Sequence, residues 1–140
     1  MIRAVLDTNV IVSGVIKKDG PPGRILAALF HKQFIAITSS VLLSEVARVL
    51  AYPKIADRYH ISPEKADAIL SALTIQSHWI QPPPFSVKAS RDPSDDIFLA
   101  HALHGNASFL VTGDNDLLQL KEFRGIRIVA SDIFLQALKA

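Results

Sequence analysis

The chain has no cysteine, one methionine and one tryptophan. The missing cysteine excludes a disulfide framework, a thiolate nucleophile and a zinc–thiolate site. No apolar run approaches the roughly 18 residues of a membrane span. Asp7 also interrupts the first apolar run too early for a secretion signal. Glycine-rich phosphate loops, a G-x-S-x-G elbow and a G-x-G-x-x-G fingerprint are all missing. No internal repeat or low-complexity segment stands out. The reading is a cytoplasmic protein without a ready-made nucleotide cradle.

What is present is ordinary for a globular domain. Hydrophobic residues make up 49% of the chain and charged residues 20%, which argues against disorder. The 140 residues suit a single domain that buries about two-thirds of its unfolded surface. A formal net charge of +2 conceals an asymmetry. If four of the 13 acids are drawn into one site, the remaining acids are well outnumbered by 15 Lys and Arg. A basic exterior around an acidic pocket would suit a polyanion such as nucleic acid.

Short apolar runs at residues 2–6, 34–38, 77–81, 109–112 and 126–130 read as strands. Helical patterns cover residues 10–16, 24–32, about 40–51, a short piece within 52–60, and 63 to about 75. A further helix runs from the turn at Asp92 and Pro93 to a stop at Gly105, and Ser131 is placed as the cap of a last one. Residues 17–23 and the prolines at 82–84 read as loops inside the domain. Strands alternating with helices predict an α/β fold, a parallel sheet with helices on both faces.

The acids are placed unusually. In RDPSDDIFLA, residues 91–100, Asp92, Asp95 and Asp96 crowd the head of an apolar helix. Capping accounts for one of them, but two like charges about 4 Å apart repel by roughly 1 kcal/mol even in water. Asp7 ends the first strand and Asp114 follows the fourth, positions where open α/β sheets place ligands. Glu45 shares a helical stripe with Val41, Leu42 and Val49 and needs a partner there. Each acid also has an ordinary explanation: a cap for Asp7, a turn for Asp114, and an ion pair with Arg48 for Glu45. Together, oxygen donors without His or Cys favour Mg²⁺ or Mn²⁺. His101 and His104, near a helix end and turned away from Leu99 and Leu103, are read as surface residues rather than ligands.

The order of VLDTNVIVSG (5–14), SSVLLSEVARVL (39–50), RDPSDDIFLA and VTGDNDLL (111–118) resembles the PIN-domain nucleases, and most of all their toxin–antitoxin group. The resemblance implies a three-layer α/β/α sandwich with a central, mostly parallel sheet. It implies cleavage of single-stranded RNA with Mg²⁺ or Mn²⁺, a cognate antitoxin, and a possible second copy as partner. It makes Asp7, Glu45, Asp96 and Asp114 the catalytic and metal-binding acids, with Thr112 beside them and Asn9 bracing the loop after the first strand. Asp95 and Asp116 are left in support, and Arg91 and Arg48 are expected to meet the RNA backbone.

Between the two adjacent acids, Asp96 is preferred because it shares its side of the helix with small Ala100, whereas Asp95 sits beside Phe98. Two rival functions remain. A phosphatase of the haloacid dehalogenase type would want an acid where Asn9 stands, and a receiver-like module lacks its early acidic pair. An inactive PIN-like module binding RNA or protein has no such objection against it.

Overall fold

Branched and aromatic residues in the short apolar runs form six strands of one sheet in the computed structural model, which describes residues 1–140. They are β1 (Arg3–Leu6), β2 (Ile35–Thr38), β3 (His78–Trp79), β4 (Phe109–Val111), β5 (Glu122–Phe123) and β6 (Ile126–Val129). Their order is β3-β2-β1-β4-β6-β5, and every neighbouring pair is parallel except β5 with β6. The connecting helices are α1 (Thr8–Ile16), α2 (Pro21–Phe30), α3 (Ser40–Leu50), α4 (Pro53–Ala56), α5 (Pro63–Gln76), α6 (Pro93–His104), α7 (Asn115–Leu118) and α8 (Ser131–Lys139).

Side chains alternate across the sheet with the strand period of two. Ala4, Leu6, Ala36, Phe109 and Val111 enter the larger core, with buried residues of α1, α2, α3, α5 and α8. Phe134 of α8 anchors that core edge-on to Phe34 and Phe109, at 5.0 and 5.4 Å between ring centres. Val5, Ile37, Leu110 and Ile128 face the smaller core under α6 and α7. The result is the expected three-layer α/β/α sandwich around a mostly parallel sheet. No helix is long and apolar enough to cross a membrane.

Sheet order decides where a site can form. From central β1 the chain builds outward through β2 and β3, then crosses over and builds β4 and β6 on β1's other side. The order therefore reverses between β1 and β4, and a crevice opens beyond their carboxyl ends. Asp7 and the Thr112–Asp114 turn lie at those ends.

Several local expectations are corrected. Helix α2 starts three residues early, because Pro21 and Pro22 suit a first turn. Gly23 is needed inside it, since a Cβ there would meet the Lys18 carbonyl at 2.2 Å. Gly105 ends α6 with φ −90°, not in the left-handed region; Asn106, with φ 55°, takes that role. Glycine stands at 105 because a Cβ would press on Ile37 Cγ2 at 2.6 Å. Ser131 is the first residue of α8 rather than its cap, which is Ala130 with no side-chain bond. Strand β3 has two residues instead of five, and neither the β5–β6 hairpin nor short α7 had been anticipated.

Candidate active site

Asp7 is fixed from three sides. It caps α1, its Oδ1 accepting the Asn9 N–H at 3.2 Å, and its Oδ2 accepts the Thr112 hydroxyl at 2.7 Å. Its own N–H donates to the Val111 carbonyl at 2.9 Å, tying the end of β1 to the end of β4. Burial raises the Asp7 carboxyl above its ordinary value, and the nearby Asp114 charge adds to this; the Thr112 and Asn9 hydrogen bonds oppose it. Asn9 thus braces Asp7 through its backbone.

Thr112, fully buried, links two acids. While donating to Asp7, its hydroxyl oxygen accepts the Asp114 N–H at 3.0 Å. Asp114 caps α7, its Oδ1 accepting the N–H groups of Asp116 and Leu117 at 2.8 and 3.3 Å. The ordinary capping roles of Asp7 and Asp114 are real, and Thr112 joins the two residues at the ends of β1 and β4 all the same. Asp116 sits in the first turn of α7 and enters these bonds through its backbone only.

The adjacent acids on α6 part company. Asp92 is the cap, accepting from Ser94 N at 2.9 Å, and the Ser94 bonds hold its carboxyl below the ordinary range. Asp95 faces the crevice. Its carboxyl is raised to about 6 by partial burial and by the charges of Asp114, Asp92 and Asp7. Asp96 points the other way, only 5% exposed, its Oδ1 accepting the Ser90 N–H at 2.8 Å. The structure therefore brings Asp95, not Asp96, to Asp7 and Asp114. Helical arithmetic had paired the side chains correctly, Asp95 with Phe98 and Asp96 with Ala100. The size of the neighbouring residue does not decide which pair faces the crevice.

The crevice is a basin of about 490 Å³ bordered by Asp7, Asn9, Glu45, Arg48, Ser94 and Asp95. Glu45 reaches it from α3, 39% exposed, and is held there by Arg48, whose Nε lies 3.0 Å from Oε2 and whose Nη2 meets Oε1. The Arg48 guanidinium also lies over the Tyr52 ring, 5.1 Å from its centre. Arg91 is exposed beside the cap of α6. The surface reading of His101 is overturned: it is 1% exposed. Nδ1, 2.8 Å from the Ile97 carbonyl, must donate, so Nε2 accepts the Ser39 hydroxyl at 2.7 Å. Burial lowers its proton affinity and keeps it neutral. Since Ser39 caps α3, this ring ties α6 to the start of α3. The helical wheel missed it because the wheel does not show that β2 and α3 cover that flank.

Could these residues hold a divalent cation? No three acidic or histidine side chains converge as a ready-made cage. Mg²⁺ does not need one, since it commonly keeps several waters and binds one or two carboxylates plus substrate phosphate. Asp7, Asp95 and Asp114 supply hard oxygen donors, and the carboxyls of Asp7 and Asp95 are raised first by burial and then by neighbouring carboxylates. Thr8 adds a buried hydroxyl without a partner on the basin wall. The donor set fits such an ion.

Residues 3–116 match the family description of the PIN domain. The chain belongs to the PIN-domain family. PIN domains are in general nucleases and use divalent metal ions. An uncharacterized protein of Methanocaldococcus jannaschii, MJ1680, is 32% identical over 121 residues, 86% of this chain and 76% of that protein. Among solved structures, VapBC2 from Rickettsia felis, bound to a DNA fragment from its promoter, superposes with a TM-score of 0.58. The superposition covers 92% of this chain and 98% of the other at 18% identity, a likeness of fold. The basin described above lies within the matched PIN domain.

Proposed function

We propose that this PIN domain is a metal-dependent endoribonuclease that cuts single-stranded RNA, and that it is the toxin of a toxin–antitoxin pair. The observation that carries the reading is geometric: the Thr112 hydroxyl joins Asp7 to the Asp114 backbone at the carboxyl ends of β1 and β4, and Asp95 borders the same basin as Asp7. Bound there, Mg²⁺ or Mn²⁺ supplies activated water and neutralises charge developing on the phosphodiester. Asp7, oriented by Thr112 and the Asn9 N–H, would hold the ion together with Asp95 and Asp114, and Glu45 would serve as a fourth acid. Arg48 and Arg91 would meet the RNA phosphates. Asp96 is assigned a structural role, bonding the 90–92 turn to α6.

The toxin role draws on the fold shared with VapBC2 and on the motif order, and it implies a cognate antitoxin, a cytoplasmic setting and a possible second copy as partner. The test uses purified protein and single-stranded RNA. Cleavage should require Mg²⁺ or Mn²⁺, stop with EDTA and vanish in Asp7→Asn, which should still bind RNA with an affinity that falls as salt rises. Full cleavage by Asp7→Asn would remove the assignment, and binding without any cleavage by the wild type would favour an inactive RNA-binding module.

A further inference from the structure

The groove continues beyond the acids. A second basin of about 470 Å³ adjoins the first across a low divide formed by Val41, Pro93 and Ile97, which border both. Val41 and Ile97 are large apolar side chains left exposed beside a charged site. The far wall is the loop that carries Pro82, Pro83, Phe85 and Lys88.

The two basins differ in chemistry. The first is lined by carboxylates, whereas Asp96, the acid of the second, is buried with an oxygen engaged by Ser90 N–H. Lys88 is exposed and makes no ion pair. Phe85 packs edge-to-face with His104, ring centres 5.9 Å apart at 79°, yet remains 43% exposed. Prolines restrict the loop's backbone, so the wall is largely formed before anything binds. An aromatic surface with one free cation, next to a site that acts on phosphodiesters, matches the way single strands are held. Bases stack on aromatic rings and Lys meets the backbone.

We propose that the second basin binds one unpaired nucleotide adjoining the scissile phosphate, its base stacked on Phe85 and its phosphate met by Lys88. The proposal rests on the nuclease reading above. Val41 and Ile97 then form the apolar saddle over which the sugar passes between basins.

The test uses the full chain with Asp7→Asn to prevent cleavage, and a labelled single-stranded RNA of roughly 8 nucleotides that the wild type cuts at one position. Fluorescence anisotropy is measured for the intact RNA and for a series with one base removed at each position in turn. One abasic position beside the cut should weaken binding by about 5- to 150-fold. In Asp7→Asn with Phe85→Ala, intact RNA should bind correspondingly weakly, and that same abasic position should cost nothing more. Lys88→Gln should lower affinity and reduce the salt dependence by about one counterion. Phe85→Leu, which keeps the loop packed, should lose the base-dependent increment as well. Additive losses from Phe85→Ala and every abasic position would overturn the proposal while leaving the nuclease reading intact. Absence of both cleavage by the wild type and RNA binding by Asp7→Asn would overturn both.

Discussion

The two flanks of α6's first turn carry adjacent acids in opposite circumstances. Asp96 is the more deeply buried, yet it is compensated by a backbone N–H from Ser90. Asp95 is less buried, but its neighbours are Asp114, Asp92 and Asp7, and its carboxyl rises to about 6. Burial alone therefore does not say which acid borders the basin with Asp7. What separates the two is position: Asp95 borders the basin with Asp7, whereas Asp96 borders the neighbouring one, and a carboxyl facing other carboxylates requires a proton or a cation.

The largest effect that sharpens this contrast is on activity. Asp95→Asn should lower RNA cleavage by about 10²-fold or more and weaken Mn²⁺ binding in a calorimetric titration. Asp96→Asn should stay within about 10-fold, as expected of a group that acts only through position. The reverse ranking would return Asp96 to the site and break the comparison.

Stability should move in opposite directions for the two variants. Asp96→Asn weakens a charge-assisted bond to the Ser90 N–H and should cost about 1–2 kcal/mol in denaturant unfolding. Asp95→Asn removes like-charge repulsion and should stabilise the metal-free protein by roughly 1 kcal/mol at neutral pH. Saturating Mg²⁺ should erase that advantage, because the ion stabilises the wild type selectively.

The smallest effect is the pH dependence. Asp7 and Asp95 have folded values above their unfolded ones, so between about pH 4 and about 6 the native state holds more protons. Their ionisation opposes folding, and stability of the metal-free protein should fall as pH rises through this window. Thermal melts at pH 5 and 7 should show the wild type losing more on alkalinisation than Asp95→Asn. Equal slopes would mean that the Asp95 carboxyl titrates as an exposed group does.

Much of the site could be read in the chain before folding. Asp7 and Asp114 follow apolar runs, and a strand's end is recognisable from its own residues. Glu45's pairing with Arg48 is a contact three residues along a helix, again local. His101 is the opposite case: the Ser39 hydroxyl that meets its buried ring lies 62 residues away in the chain. Asp95 and Asp96 show the same limit, as helical periodicity says which side chains share a side and never which side is covered.

By itself the sequence determined the strand–helix alternation, the capping of α1, α3, α5 and α6, the PIN motif order and the supply of acids. These depend on neighbours within a turn or two, where propensity, periodicity and hydrogen bonding act directly. Only the tertiary structure decided that Asp95 joins Asp7 and Asp114, that His101 couples α6 to α3, and that a second basin opens behind Val41 and Ile97. Those outcomes depend on the rotation of α6 about its axis against the sheet. That rotation is set by how Phe98, Leu99 and Ala102 pack on Val5, Ile37 and Leu110, contacts between segments far apart in the chain whose geometry no local pattern encodes.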